Sequence, residues 1–192
     1  MAKSGNSKRQ ALAASAAELF WTRGYAATSI ADIAARSQVP LGNVYYYFKT
    51  KGDLAHAVAD IFVGETQAMI DTISGESQDP RTRLASLVDR LSRSMRLRVD
   101  HGCPIALCVR DFRREHAPAS ERAAESFALL IGFAAKELGR LGIRPSIALN
   151  IARSAIAEWQ GGIALAHALG DAAILSESFR RMENLLVSPQ RG

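Results

Sequence analysis

The sequence predicts an all-α protein of nine helices. Three observations carry this. Apolar residues recur at helical spacing in every long segment, as in Leu84, Leu87, Val88, Leu91 and Met95. Glycine and proline fall between those segments, at Gly24, Pro40, Pro80, Pro104, Pro118, Gly142, Pro145 and Gly170, where helices stop and start. No stretch shows the apolar/polar alternation of a strand, and there is no repeat or low-complexity run.

The first helix is expected from about Ser7 to Arg23, with Leu12, Ala16, Leu19 and Phe20 on one face and Gly24 as its stop. A cap at Thr28 or Ser29 opens a short helix whose Ile30, Ile33 and Ala34 share a face, with Asp32 favourable in its first turn. Ser37-Gln38-Val39 is a turn, and Pro40 suits the first position of a helix over about Leu41 to Tyr47. A long helix follows from Lys51 to about Ser74. Pro80 opens the next, which carries Met95 and breaks at Asp100-His-Gly-Cys-Pro104. A short helix from Ile105 to about Arg114 precedes a long one from Pro118, ended by Gly142. Pro145 starts another, to about Leu169, and Asp171 caps the last, with fraying expected from Val187 onward.

The chain has 192 residues, is 48% hydrophobic and 22% charged, and so has material for one ordinary domain or two small ones. No apolar run approaches the ~20 residues of a membrane span. The first residues carry charges with no apolar block behind them, unlike a signal peptide, so the expected location is the cytoplasm and no membrane partner is expected. The net charge is +5, of which +4 lies in residues 1–58 through Lys3, Lys8, Arg9, Arg23, Arg36, Lys49 and Lys51 against Glu18, Asp32 and Asp53. That clustering suits a polyanionic partner. There is no phosphate-binding glycine loop and no nucleophile-base frame. His56, His101, His116 and His167 are scattered, so an enzyme is not expected and no cofactor is assigned.

Residues 28–54 concentrate the chemistry. Two short helices joined by a tight turn are the pattern of a helix-turn-helix, whose second helix enters the major groove of DNA. That helix offers Leu41, Gly42, Asn43, Tyr45, Tyr46 and Tyr47. Gly42 lets backbone approach closely, Asn43 can pair with adenine, and Leu41 or a tyrosine edge can meet a thymine methyl. Tyrosine hydroxyls and the ammonium groups of Lys49 and Lys51 suit phosphate, as do Thr28 and Ser29 at a helix N-terminus. The alternative is a plain packing unit with core tyrosines. Three consecutive tyrosines span about 200° of a helix, however, and cannot share one buried face.

The segment Gly24-Tyr25-x-x-Thr28-Ser29-Ile30-x-x-Ile33-Ala34, followed by Val39-Pro40-x-Gly42-x-Val44-Tyr45-x-Tyr47-Phe48-x-x-Lys51-x-x-Leu54, resembles the DNA-binding domain of the tetracycline-repressor (TetR) family over about residues 8–58. The resemblance implies a homodimeric, ligand-responsive transcriptional regulator, usually a repressor, on a palindromic double-stranded DNA operator. It places DNA contacts on Thr28, Ser29, Leu41, Gly42, Asn43, Tyr45, Tyr46, Tyr47 and Lys51. Two residues depart from the family pattern: Pro40 stands where a capping serine is frequent, and Gly52 where an acid is usual. The expected division is a DNA-binding domain at 1–50 and a ligand-binding and dimerisation domain at 51–192.

In that second part the resemblance implies dimerisation through the last two helices. Ala148, Ala152, Ala155, Trp159, Gly162 and Ala166 form a small-residue stripe with one large anchor, and Phe179, Met182 and Leu186 add to it. Packing of this stripe inside its own subunit is the alternative. A pocket for a small-molecule inducer is expected from Phe62, Met69, Leu91, Met95, Cys103, Ile105, Cys108, Phe112, Phe127, Ile131 and Trp159. The scarcity of acids on these faces favours a neutral ligand, while Arg98, His101 and Arg110 would answer an anionic one. Cys103, just before Pro104, would sit at a helix N-terminus, where the dipole stabilises a thiolate and suits an electrophile or redox sensor. The other readings are metal ligation by His101, Cys103 and Cys108, whose spacing fits no zinc signature, and inert packing. A helical module that binds a small molecule but no DNA is the remaining alternative class.

Overall fold

The computed structural model describes residues 2–188, with side chains described from residue 7. Lys3, counted in the basic N-terminus, and the expected fraying over residues 189–192 therefore fall outside the described side chains or residues. Ten helical segments and no strand are present among the described residues: α1 (Ala2–Arg23), α2 (Ile30–Ser37), α3 (Leu41–Tyr47), α4 (Lys51–Glu76), α5 (Pro80–Ser92), α6 (Met95–His101), α7 (Pro104–Glu115), α8 (Ala117–Arg140), α9 (Pro145–Leu169) and α10 (Ala172–Val187). The tenth arises because the helix expected from Pro80 through Met95 divides at Arg93-Ser94. Counted as one broken helix, the total is the nine expected.

The ends are set by local chemistry. Ser29 and Asp32 form a reciprocal capping box at the start of α2. Asp79 caps α5 ahead of Pro80, accepting from the Thr82 N–H at 2.8 Å. Asp171 caps α10 through the Ala173 N–H at 2.8 Å. Gly170 closes α9 at φ 67°, a left-handed conformation that glycine adopts without a steric penalty.

The chain divides into two compact units, 1–65 with 104–126, and 66–103 with 127–192. The expected division placed the DNA-binding domain at 1–50; by packing, α7 and the start of α8 share the core of that N-terminal module. In that core Phe20 and Tyr25 meet edge-on at 4.9 Å, and Phe112 of α7 meets them at 5.9 and 5.2 Å. Leu12, Ile33, Val44, Phe48, Leu54, Val58 and Phe62 fill the rest, with Cys108 and Ala119.

In the other unit α10 packs on α9 and α5, and α6 on α9 and α10. Arg83 of α5 reaches the buried Glu137 carboxylate of α8 at 3.3 Å and donates to the carbonyls of Ser74 and Ser77, both at 2.6 Å. A buried pair is tolerated when further hydrogen bonds satisfy the remaining donors, and these do. Glu137 also takes Arg140 at 2.7 Å.

Candidate nucleic-acid interface

The helix-turn-helix is held by its inward face. Val44 and Phe48 of the α3 segment are buried, as are Ile33 and Ala34 of α2. The turn is made by Gln38 in the left-handed region (φ 56°), whose N–H reaches back to the carbonyls of Ala34 and Ala35. Pro40 is the N-cap of α3, one position earlier than expected, and it makes no side-chain cap bond. Its carbonyl accepts from the Asn43 N–H at 2.8 Å. Arg36 of α2 forks onto Glu18 of α1 through Nη2–Oε1 at 2.5 Å and Nε–Oε2 at 3.1 Å, joining the two helices at the surface.

With that face fixed, α3 turns Leu41, Gly42, Asn43, Tyr45 and Tyr46 to solvent. Tyr46 is 78% exposed, unusual for a ring of that size. Tyr47 is half-buried against the core and meets Tyr46 edge-on at 5.1 Å. A Cβ on Gly42 would meet nothing within 4 Å, so the backbone there is open to close approach. Lys49 is exposed, its ammonium donating to the Tyr45 carbonyl at 2.8 Å at the C-terminal end of α3.

Two of the expected phosphate contacts are engaged within the protein itself. The Thr28 side chain is 1% exposed, and its hydroxyl donates to the Gly24 carbonyl at 2.8 Å, so it is a loop staple and not a surface donor. The cap of α2 is Ser29, which is exposed, and its hydroxyl accepts from the Asp32 N–H at 3.1 Å. Lys51 donates to the Tyr25 carbonyl, and its ammonium lies 4.1 Å from the centre of the Tyr25 ring. Burial there holds its pKa below the ordinary lysine value, although Glu115 acts the other way. Lys51 thus helps to fix the loop before α2.

The Gly52 departure also has a cause. A Cβ at Gly52 would stand 3.1 Å from Nδ1 of His116, so a side chain there would require the imidazole to give way by a few tenths of an ångström. The charge complement of α4 comes instead from Asp53, whose Oδ2 accepts from the N–H groups of Lys49 and Thr50, both at 2.9 Å. The Asp53 N–H donates to Thr50 Oγ1 at 3.1 Å, completing a second capping box that the Thr50-x-x-Asp53 spacing could have signalled. Hydrogen bonds from Thr50, first through its backbone, lower the Asp53 pKa.

The expected dimer stripe is corrected too. Ala148, Ala152, Ala155, Trp159, Gly162, Ala166, Phe179, Met182 and Leu186 are all buried within their own subunit. Beside them runs an open groove of about 690 Å³ between α9 and α10, lined by Ser154, Ala157, Glu158, Gly161, Leu165, Ile174 and Glu177 among others. Leu165 is 56% and Leu169 69% exposed. The signal for this second face was the Ala157, Gly161, Leu165 spacing on a helix that is apolar nearly all round.

The expected pocket residues fall into both units. Phe62, Cys108 and Phe112 belong to the buried core around Phe20. Met69, Leu91, Met95, Cys103, Phe127, Ile131 and Trp159 lie in the other unit. Leu91, Cys103 and Trp159 are buried there; Met69, Met95, Phe127 and Ile131 are half-buried. Both cysteines are buried and stand outside any disulfide, and no group of three potential ligands able to hold a metal occurs among the described residues.

Residues 12–58 match the family model described as bacterial regulatory proteins, tetR family. Residues 80–180 match the model of the LmrA/YxaF-like transcriptional regulator C-terminal domain. An HTH-type transcriptional regulator of Mycobacterium tuberculosis is 32% identical over 193 residues, covering 95% of this chain and 97% of that protein. A second protein of that organism, an HTH-type transcriptional repressor, is 36% identical over 95 residues, covering 50% of this chain and 48% of its own length. Among solved structures, a TetR transcriptional regulator from Legionella pneumophila superposes with a TM-score of 0.82 at 23% identity, covering 92% of this chain and 95% of that one.

Proposed function

The chain belongs to the tetR family of bacterial regulatory proteins, transcriptional regulators with a helix-turn-helix DNA-binding domain, and from that premise we propose a cytoplasmic homodimer that represses its target by holding a palindromic operator. A small molecule bound in the C-terminal part releases it. The observation that carries this reading is the α3 surface: Leu41, Asn43 and Tyr46 project from a helix whose opposite face is locked into the core. Exposed groups on a rigid element can meet base edges without a large ordering cost. Gly42 allows the close approach, while Ser29, Tyr45, Tyr47 and Lys49 supply phosphate contacts.

The dimer is assigned to the α9–α10 groove. Its small residues permit close helix approach, and Glu158, Glu177 and Arg181 give it both charges, as a self-complementary two-fold contact requires. Repression, as against activation, is supported by the relative named as a transcriptional repressor. Ligand and operator must oppose each other by one common factor.

A gel-shift on the DNA upstream of the protein's own gene tests this. The expected result is a salt-sensitive shift that needs both half-sites, about 34–36 Å apart, and weakens when half a helical turn is inserted between them. No shift, or one indifferent to half-site spacing, would overturn the dimeric-operator reading.

A further inference from the structure

Arg98 of α6 is half-buried, and no ion pair to a carboxylate is formed by it among the described residues. Its guanidinium lies 4.9 Å from the ring centre of Trp159 on α9. Its Nε is buried without an acceptor. Burial pulls its pKa below the ordinary arginine value, and the opposing influence comes from the Cys103 thiol. Gly102, at φ 75°, makes the turn that ends α6 just before Cys103, with its N–H on the Arg98 carbonyl at 2.8 Å. Trp159 is 1% exposed, and its indole Nε1 is likewise buried without an acceptor. The next residue on α9, Gln160, carries a third unpartnered buried donor, Nε2. α6 packs on α9, and His167 of α9 bonds the Val99 carbonyl at 2.9 Å, so the two helices that carry these donors are tied together.

A cation held partly out of water without a carboxylate partner is costly, and so is each buried donor left without an acceptor. Here they occur on two packed helices, with Arg98 and Trp159 in contact, and no acidic group answers them. An anionic oxygen acceptor brought by a ligand beside the stacked Arg98 and Trp159 would relieve the guanidinium and give its unpartnered Nε an acceptor. Guanidinium Nε and Nη donors match the two oxygens of a carboxylate in particular.

We propose that Arg98 and Trp159 form the anion-recognition point of the effector site, and that the effector is a small apolar molecule bearing a carboxylate. The guanidinium takes the carboxylate, with the Trp159 N–H as a further donor. Cys103 accompanies Arg98 only until the ligand arrives. This rests on the ligand-released reading above and replaces the neutral ligand that the scarcity of acids suggests.

The test measures thermal melting and tryptophan fluorescence of the full chain without DNA, against salicylate, indole-3-acetate, 1-naphthoate and octanoate, each beside its neutral amide. The expected result is that acids from this panel raise Tm and bind at least tenfold tighter than their amides, a difference of about 1.4 kcal/mol. Arg98→Gln brings that ratio to about one, Arg98→Lys keeps part of it, and Cys103→Ser leaves it unchanged. Arg98→Lys keeps the test informative if Arg98→Gln does not fold. Equal binding of acids and amides, no binding of any acid at millimolar concentration, or a preference that survives in Arg98→Gln would each overturn the proposal. So would a preference abolished by Cys103→Ser, which would make the cluster a guanidinium–thiolate pair. Because binding is read without operator, acids that bind with this preference yet leave the gel-shift unchanged uphold the ligand class and count only against ligand-driven release.

Discussion

Ser178 Oγ lies 2.2 Å, and its Cβ 2.4 Å, from where a Cβ on Gly162 would stand. The hydroxyl there is held by Glu158, with Oε1 at 2.9 Å and the carbonyl at 3.1 Å. At Gly162, α10 thus comes too close to α9 for any side chain to fit. Gly162→Ala gains at most about 1 kcal/mol of helix propensity. The overlap involves a Cβ, which cannot swing aside, and overpacking of this kind costs about 1–3 kcal/mol. The substitution should therefore lower stability in urea denaturation, and Ser178→Gly should recover part of the loss. Additive losses in the double variant would show that the two residues do not limit each other.

Lys49 and Lys51 separate by their surroundings. Lys49→Ala should reduce the slope of log K against log salt by about one, as loss of one phosphate contact does. Lys51→Ala should leave the slope nearly unchanged and lower the melting temperature, because its ammonium is used on the Tyr25 carbonyl and ring. The reverse pattern in salt-titrated gel-shifts would return Lys51 to the DNA surface.

The two faces of α9 answer to different measurements. Leu165→Arg, in the open groove, should convert dimer to monomer in sedimentation with little change in helix content. Ala152→Leu, on the fully buried stripe, should cost about 1–3 kcal/mol of stability through overpacking. A dimer unaffected by Leu165→Arg would remove the groove from the interface.

Asp32 and Asp53 are both held below the usual carboxylate pKa, chiefly by hydrogen bonds from Ser29 and Thr50 respectively. A folded-state value below the unfolded one means the unfolded chain binds the proton first. The stability these caps contribute is complete above the unfolded value of about 4 and is lost as pH falls through the lower folded values. Asp53→Asn should flatten the acid limb of the stability profile below about pH 4 while preserving the neutral-pH fold. An acid limb identical to that of the unaltered protein would deny the cap its charge.

Asn43 bears on base reading alone. It is exposed, so Asn43→Ala should leave melting unchanged and relax preference at one position of each half-site in binding selection. Unaltered preferences would exclude it from base contact.

What the sequence determined by itself was local and periodic. Helical spacing, the stops at Gly24 and Gly170, the helix start at Pro80, the cap at Asp171, and the inward Ile33, Val44 and Phe48 all follow from residues within a few positions of one another. The exposed face of α3 was legible for the same reason, since burying Val44 and Phe48 leaves Gly42, Asn43 and Tyr46 outside. Only tertiary structure decided matters that depend on neighbours far along the chain. It gave the Thr28 hydroxyl and the Lys51 ammonium to the loop at residues 24–25, and it filled the space beside Gly52 with His116. It drew α7 into the N-terminal core through Phe112, and it chose which apolar face of α9 is buried. A helix apolar on most of its circumference has no unique inward side until its partners arrive. The small-residue stripe of α9 was therefore visible in the sequence, while its direction was not.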